Sequence, residues 1–398
     1  MADIRQYLRE KEKREQNQVD YRSKILKHRM TTVYRIGLIV AIALAVMLLV
    51  YIQYQRQVYT RYDVVDTVKR EAGSEAIDMC LGNAILTYSK DGAHCTDAKG
   101  NVTWNQTYEI QDIKLASCKD VVAIANYNGR NIYVGNTQEQ MGTITTNMPI
   151  RNLAVAANGQ VTAVLADTDV TWVNTYNADG ENIYSGQTHM SNSGYPGAVS
   201  LSPSGELLAV SYVYVDAGSI KTNVAFYNFG PIGENQSDHM VSVFIYTDML
   251  VPMIHFMNDE TAFAVGDGRL MIYRGAHIPT LAGEYILDEE IQSVYYSDKY
   301  IGLVFLSDDG EHRYRLNVYD ENAVKIGTYY FDMEYNDIFF DKETFVIYNE
   351  QECMVSTMNG LEKFKGSFTR GVKLLLPTTS AYRYICVTDD SFDTLQLR

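Results

Sequence analysis

The stretch Val199-Ser-Leu-Ser-Pro-Ser-Gly-Glu-Leu-Leu-Ala-Val210 decides the fold of this 398-residue chain. Two short apolar runs flank Pro203-Ser-Gly205, in which proline fixes φ and glycine supplies the backbone freedom of a tight turn. Neither run alternates strictly between apolar and polar residues, which is typical of strands covered on both faces. The stretch therefore predicts a pair of buried antiparallel strands.

The same strand–turn–strand unit recurs from residue 77 onward. Eight copies can be read, and their turns advance from about residue 82 to about residue 377, a mean period of about 42 residues. Two further strands follow many of these pairs, for example residues 171–176 and 182–185 after the third copy. The copies begin at Ile77, Ile113, Leu153, Val199, Ile254, Val294, Ile338 and Leu374. Four strands per unit at this period are the signature of a β-propeller.

The sequence thus predicts an all-β fold, an eight-bladed β-propeller preceded by one transmembrane α-helix; a seven-bladed propeller is the alternative. A β-helix or a pair of β-sandwiches is a weaker interpretation, because the sandwiches would need a linker near the middle of the chain and no Pro/Gly/Ser-rich linker occurs there. The last copy lacks its fourth strand, whereas a spare strand, residues 62–68, precedes the first copy. Pairing of strand 62–68 with strand 393–397 would remove two exposed edges, and we expect it to close the ring.

One segment before the repeats has a different character. The twenty residues from Ile36 to Gln55 contain no charge and lie between Arg35 and Arg56. As a helix they would be roughly 30 Å long, which is the thickness of the hydrocarbon core of a bilayer. The Ala-x-Ala patterns lie in mid-segment rather than at its end, which favours an uncleaved anchor over a signal peptide. We predict a transmembrane helix over residues 32–55.

The flanking charges predict the orientation of this helix. Residues 1–35 carry ten basic and five acidic side chains, and lysine and arginine mark the cytoplasmic side. We therefore expect residues 1–31 to form a cytoplasmic basic tail and residues 56–398 to form an extracytoplasmic β-propeller of a single-pass protein of the cell membrane.

The net charge of −15 conceals an asymmetry. The first 35 residues carry a net charge of +5, so the rest of the chain carries −20. Nucleic-acid binding needs a basic surface, and this composition argues against it.

The five cysteines contain no CxxC spacing and four of them lie among apolar strand residues, so buried thiols are favoured over a disulfide framework.

No residue constellation predicts catalysis. A Gly-x-Ser-x-Gly elbow is absent from the sequence, and the histidines are scattered without metal-ligand spacing. We therefore expect no enzyme activity, no metal and no cofactor. Two inserts, residues 191–197 and 230–239, interrupt the repeat, and loops on rigid scaffolds often carry binding residues. The candidate ligand-binding residues are Tyr195, Asn192 and His239.

Leu201-Ser-Pro-Ser-Gly-Glu-Leu-Leu-Ala-Val210 resembles the inner hairpin of WD40-like propeller repeats, and the eight four-strand units resemble quinoprotein-like propellers. Taken whole, the chain resembles a family of uncharacterised bacterial single-pass membrane proteins with an extracytoplasmic β-propeller. The resemblance implies a fold and a location, and no activity. Trp104 and Trp172 are the only tryptophans. The Trp-Asp endings of WD40 repeats and the tryptophan docking motifs of quinoproteins are missing, so no quinone cofactor is implied.

These observations favour a membrane-anchored scaffold that binds a protein or a glycan of the cell envelope. A rigid ring, a membrane tether and the absence of a catalytic set support this hypothesis. The alternatives are a transmembrane sensor that relays exterior binding to the cytoplasmic tail, and a propeller enzyme with a site in its central channel.

Overall fold

The computed structural model describes residues 2–16, 21–70, 76–167, 170–189 and 194–398. The chain divides into two compact units, Met1–Val58 and Tyr59–Arg398. The first unit contains helix α1 (Ala2–Gln16) and helix α2 (Tyr21–Gln55). Helix α2 begins 11 residues before the predicted span 32–55, because no glycine or proline interrupts residues 21–36. Within it, His28–Val50 is long and apolar enough to cross a membrane, and its most apolar window has no buried residue.

The second unit consists almost entirely of short strands. The first eight are β1 (Tyr62–Lys69), β2 (Ile77–Leu81), β3 (Ala84–Tyr88), β4 (Gly92–Thr96), β5 (Val102–Thr107), β6 (Ile113–Cys118), β7 (Val121–Asn126) and β8 (Asn131–Asn136). The next eight are β9 (Gln140–Thr145), β10 (Ile150–Val155), β11 (Val161–Ala166), β12 (Thr171–Tyr176), β13 (Asn182–Thr188), β14 (Tyr195–Leu201), β15 (Leu207–Asp216) and β16 (Ser219–Asn228).

A short helix α3 (Pro231–Glu234) and a 3₁₀ turn (Ser237–His239) follow β16. The next eight strands are β17 (Met240–Thr247), β18 (Met253–Phe256), β19 (Thr261–Gly266), β20 (Arg269–Arg274), β21 (Thr280–Ile286), β22 (Ser293–Tyr296), β23 (Tyr300–Leu306) and β24 (Tyr314–Asp320). The last eight are β25 (Lys325–Phe331), β26 (Asp337–Asp341), β27 (Thr344–Tyr348), β28 (Glu352–Thr357), β29 (Glu362–Ser367), β30 (Leu374–Pro377), β31 (Arg383–Val387) and β32 (Ser391–Leu397).

The strands form eight antiparallel sheets of four, which are the blades of a propeller. Blades 1 to 7 take consecutive strands from β2 to β29, and blade 8 has the order β30-β31-β32-β1. The first strands of neighbouring blades contact one another, so they surround the axis, and we name the strands of each blade A to D from the inside outward. The predicted eight-bladed fold is confirmed, and the seven-bladed alternative is excluded.

Because neighbouring strands in each blade are antiparallel, the turns and connections of the chain gather at two ends of the propeller. The A–B and C–D turns lie at one end, which we name the A–B end. The B–C turns and the connections between blades lie at the other, which we name the B–C end. In blade 4 the A–B turn uses Gly205 with φ +79°, and a Cβ there would lie 2.7 Å from the Gln160 side chain of blade 3. Glycine at this turn therefore allows both the local conformation and the close approach of two blades.

The apolar core is divided into eight clusters, each between two neighbouring blades. Among the described residues, seven clusters contain nine to thirteen buried side chains, whereas the cluster between blades 8 and 1 contains six. The junction where the ring closes thus has the smallest apolar contact.

Aromatic side chains of the outer strands also join neighbouring blades. Trp104 donates its indole N–H to the Asn136 carbonyl of blade 2, and Tyr285 donates its hydroxyl to the Ala323 carbonyl of blade 6. Tyr329 makes the same kind of bond to blade 7. Many of the 31 tyrosines therefore serve packing between blades, because a ring fills the wedge while its hydroxyl reaches a carbonyl.

The ring closes through β1 and β32, which pair antiparallel from Tyr62 opposite Leu397 to Lys69 opposite Ser391. Directly after β1, Arg70 makes a bidentate ion pair with Asp78 of blade 1, with N···O distances of 2.9 and 3.1 Å. The two side chains are only 4% and 1% exposed. Thr87 donates a further hydrogen bond of 2.7 Å to Asp78. A buried polar clamp thus supplements the small apolar cluster at this junction.

Loss of one partner of this clamp is expected to destabilise the whole propeller. Asp78→Ala should lower the free energy of unfolding of the full chain by about 3 to 5 kcal/mol, because the Arg70 guanidinium would stay buried without its counterion. Urea unfolding followed by the fluorescence of Trp104 and Trp172 measures the change. The double variant Arg70→Met/Asp78→Leu should recover much of the loss, since replacing both charges by apolar groups of similar size is often near neutral.

Lys221→Ala, which breaks an ion pair with the exposed Asp216, is the control and should cost about 1 kcal/mol or less. An Asp78→Ala variant within about 1 kcal/mol of the wild type would show that closure does not depend on the clamp.

Candidate functional site

Blade 4 carries both inserts that the sequence singled out. Tyr195 is the first residue of its A strand, β14, and pairs with Val213 of the long strand β15. It therefore lies at the B–C end. His239 ends the 3₁₀ turn between the C and D strands and lies at the A–B end. The structure thus places these two predicted residues at opposite ends of one blade, and they do not form a common site.

The surroundings of His239 are those of a packed side chain. Its ring meets Tyr184 edge-on at a centroid distance of 5.8 Å and Phe229 at 6.1 Å. In the same insert a Cβ at Gly233 would lie 1.7 Å from the carbonyl oxygen of Asn228, so the backbone is tightly fitted there. The insert at the A–B end is therefore packed against the rest of the fold. The third predicted residue, Asn192, lies outside the described residues.

Tyr195 belongs to a cluster of cations and tyrosines at the B–C end of blades 2 to 4, which we name the Tyr195 cluster. Its other members are Lys114 of β6, Tyr127 of the turn after β7, and Arg151 of β10. The Lys114 ammonium lies 5.3 Å and the Arg151 guanidinium 5.2 Å from the centroid of the Tyr127 ring. Arg151 also donates a hydrogen bond to the Asn128 side chain. Two cations thus share one aromatic ring, an arrangement that holds them in place.

Tyr195 is half-buried beside these groups. Burial and the nearby Tyr127 hydroxyl raise the pKa of Tyr195, whereas the Arg151 charge lowers it. Its hydroxyl therefore stays protonated at neutral pH and can donate a hydrogen bond.

The Tyr195 cluster places two cations on one aromatic ring. In the part of the chain that the structure describes, neither Lys114 nor Arg151 has a carboxylate within 4.0 Å. Other cations, such as Arg315 and Lys373, are in ion pairs. Two cations and a tyrosine hydroxyl, unneutralised by acidic side chains, can bind a carboxylate or a phosphate through charge-assisted hydrogen bonds.

Sequence analysis pointed to Tyr195 but not to its neighbours. Lys114 and Arg151 occupy the same place in successive copies, directly after the first apolar residue of the A strand, in Ile113-Lys-Leu-Ala and Ile150-Arg-Asn-Leu. A basic residue in a strand that is otherwise apolar was the signal that could have revealed them. Their proximity to Tyr127 depends on the packing of blades 2 and 3, which no local pattern encodes.

Among the described residues, the histidines and cysteines form no metal-binding or nucleophilic constellation. Within the described ranges no group of three His, Cys, Asp or Glu side chains could hold a metal ion. The five cysteines form no disulfide, and burial raises the thiol pKa of Cys353 and of Cys386 to about 12. The ring of His255 on the A strand of blade 5 lies 4.0 Å from that of Tyr296, and burial lowers its pKa to about 4. His255 is therefore neutral at neutral pH and is a weak base.

Comparisons with solved structures show the propeller fold. Sqt1 from Chaetomium thermophilum is 13% identical, with a TM-score of 0.51 over 85% of this chain and 100% of its own. BamB from Moraxella catarrhalis is 10% identical, with a TM-score of 0.48 over 85% and 100%. The WD40 domain of Pan2 from Neurospora crassa is 8% identical, with a TM-score of 0.45 over 84% and 95%. At these identities the likeness concerns the fold alone.

No curated protein matches the chain. One family model, described as a family of unknown function (DUF5711), matches residues 55–397, which include the whole propeller. The expected resemblance to a family with a propeller of the WD40-like kind is confirmed. With its eight blades and its apolar N-terminal helix, the chain belongs to the DUF5711 family.

Proposed function

We propose that the chain is a single-pass protein of the cell membrane whose extracytoplasmic propeller is a binding scaffold of the cell envelope. Its partner is a protein or a glycan that presents an acidic group to the Tyr195 cluster. Residues 1–31 are the cytoplasmic tail, residues 32–55 the transmembrane helix and residues 56–398 the extracytoplasmic domain. The chain acts by binding rather than by catalysis, and it needs no cofactor.

The membrane anchor is supported by helix α2. A helix of a soluble core has a covered apolar face, whereas the side chains of Leu38, Ile42 and Leu49 are 55 to 65% exposed. Apolar area on this scale needs a covering, and a bilayer supplies one. The excess of lysine and arginine before the helix favours a cytoplasmic N-terminus.

The observation that carries the binding role is the pair of unneutralised cations, Lys114 and Arg151, on the Tyr127 ring. Among the described residues neither cation has a carboxylate within 4.0 Å, and the Tyr127 ring holds both of them at one end of the propeller. The net charge of −15 disfavours long polyanions such as nucleic acid, because their distant charges are repelled. A partner with a single acidic group can bind the two cations without bringing further negative charges close to the acidic propeller.

Removal of the two cations is expected to abolish recognition of acidic groups. Full-length protein in nanodiscs should bind a capped Gln-Gln-Glu-Gln peptide or a disaccharide with one uronate better than a capped tetraglutamine peptide, as measured by calorimetry at low salt. Lys114→Ala/Arg151→Ala should weaken binding of the acidic probes about tenfold or more, because each charged hydrogen bond contributes about 1.5 to 3 kcal/mol. Binding should also weaken as salt is raised.

The matched control is Lys99→Ala/Lys299→Ala, which removes the same charge from two exposed lysines at the A–B end. This variant should bind the acidic probes within about twofold of the wild type. Equal losses in the two double variants would mean that net charge, and not the Tyr195 cluster, attracts the probes. Failure of the wild type to prefer acidic probes would count against the proposed function.

The proposed topology predicts the accessibility of the two chain ends. An epitope tag after Arg398 should react with antibody in spheroplasts that have an intact membrane, because the propeller is extracytoplasmic. A tag before Ala2 should react only after the membrane is permeabilised. A C-terminal tag that needs permeabilisation, or a protein recovered from the soluble fraction, would contradict the anchor or its orientation.

A further inference from the structure

A groove of about 420 Å³ lies between blades 5 and 6, away from the Tyr195 cluster. The end of β21 and the residues after it form one wall, and strands β24 and β25 of blade 6 form the other. Sites for small ligands commonly have volumes of about 300 to 1,000 Å³. The groove is therefore large enough for a disaccharide-sized molecule.

At one position beside the groove, blade 6 has a smaller apolar residue surface than blade 3. The two blades share a buried polar pattern, in which Asn317 accepts a hydrogen bond from Thr328 and Asn174 accepts one from Ser185. Two residues before each asparagine, blade 3 has Trp172 and blade 6 has Arg315. Trp172 packs its indole into the apolar cluster between blades 2 and 3. Arginine does not fill the corresponding wedge, and a groove remains.

Arg315 is fixed in this groove by several contacts. Its guanidinium donates to Glu289 at 2.6 Å, lies 3.5 Å from Asp308, and stacks 5.2 Å from the centroid of the Phe305 ring. The side chain is 14% exposed, and its Nε is buried without a hydrogen-bond partner. The Arg315 charge is therefore already neutralised, and only the exposed part of its guanidinium can meet a ligand in the groove.

The remaining charges that line the groove balance each other. Lys325 and Asp288 both line it, and within the described chain neither is in an ion pair. Burial and the nearby Arg315 lower the pKa of Lys325, so its charge is not offset by a close carboxylate. With Arg315 neutralised by Glu289, the lining has one free cation and one free anion. A charged ligand would be attracted by one of them and repelled by the other, so its charge gains little here, whereas hydroxyl groups can bond to both.

Aromatic rings supply the apolar part of the site. Tyr330 on β25 is 44% exposed beside the groove. Tyr285 and Tyr319 pack together on the opposite side, with a centroid distance of 4.6 Å. An exposed tyrosine face can cover the C–H face of a sugar ring, while fixed polar side chains bind its hydroxyls.

We propose that the groove between blades 5 and 6 is a carbohydrate-binding site for a neutral disaccharide unit of a glycan. Tyr330 covers the sugar ring, and Arg315, Lys325 and Asp288 bind its hydroxyl groups. The site is separate from the Tyr195 cluster in place and in electrostatics, and it does not depend on recognition of acidic groups there.

The test measures binding of cellobiose, maltose and chitobiose to the full-length protein in nanodiscs by calorimetry and ligand-observed NMR. At least one of these neutral disaccharides should bind at concentrations up to about 10 mM. Tyr330→Ala should weaken this binding about tenfold, because the variant loses one aromatic contact and the apolar area that this contact buries. Binding should change little with salt, since the ligand carries no charge.

Gln187→Ala is the matched control, because Gln187 pairs with Trp172 in blade 3 as Tyr330 pairs with Arg315 in blade 6, and both residues are exposed. It should leave binding within about twofold of the wild type. Lys114→Ala/Arg151→Ala should also retain the neutral sugars, which separates this site from the proposed function.

Three outcomes would overturn the proposal. They are binding of none of the three probes, binding of the uronate disaccharide but not of the neutral sugars that is lost in Tyr330→Ala, and equal losses in Tyr330→Ala and Gln187→Ala. Displacement of the bound disaccharide by the tetraglutamine peptide in the ligand-observed NMR spectra would assign the groove to a peptide instead.

Discussion

The closed ring depends on blade 8, where strands β1 and β32 from the two ends of the repeat region pair, and on the junction that packs this blade against blade 1. Among the described residues, every other neighbouring pair of blades is joined by at least nine buried apolar residues, whereas the junction between blades 8 and 1 has six. A bidentate ion pair buried to this degree carries a large desolvation cost, which good geometry and additional hydrogen bonds offset. Arg70 and Asp78 meet that condition, since both terminal nitrogens of the guanidinium donate to the carboxylate and Thr87 donates a further hydrogen bond to it. The pair therefore fixes how blade 8 faces blade 1, which a few apolar contacts would specify less strictly.

Pairing of β1 with β32 in blade 8 also decides where the chain ends lie. The N–H groups of Thr60 and Arg61 donate to the carbonyl of Arg398, and Arg398 donates back to Arg61 at 2.7 Å. Both ends of the propeller chain are thus held at the A–B end. The B–C end consists only of turns and connections between blades, and it is there that Lys114, Tyr127, Arg151 and Tyr195 come together.

Much of the fold could be predicted from the sequence, because it rests on local patterns. The Pro-Ser-Gly turn at residues 203–205 and its seven counterparts specify a hairpin each, and their number gives the number of blades. The spare strand at residues 62–68 could be matched to the incomplete last copy because unpaired edges are unfavourable. Arg70 and Asp78 could not be identified as partners, because Arg70 follows a strand of blade 8, Asp78 lies in a strand of blade 1, and no local pattern shows how these two blades pack.

The candidate site was less predictable, because its residues come together only through the packing of neighbouring blades. Inserts can be recognised from an interrupted repeat, and Tyr195 was found in this way. The sequence could not show that His239 lies at the other end of blade 4, because that follows from which turns share an end of the propeller. Lys114, Tyr127 and Arg151 belong to blades 2 and 3, and only the packing of these blades places them around one ring. Arg315 appears ordinary until blade 6 is superposed in register on blade 3, where Trp172 occupies its position.

The acidity of the propeller gives the Tyr195 cluster its selectivity. Two unit charges about 4 Å apart at an effective dielectric constant of 20 attract by about 4 kcal/mol, whereas charges separated by more than a Debye length of about 8 to 10 Å are largely screened. One acidic group beside Lys114 and Arg151 therefore experiences mainly these two cations. Each further negative charge on the partner that reaches beyond the cluster approaches a surface with a net charge of −20 and is repelled. Under the proposed function, the acidic side chains elsewhere on the ring thus restrict the partner to an isolated acidic group, which the two cations bind.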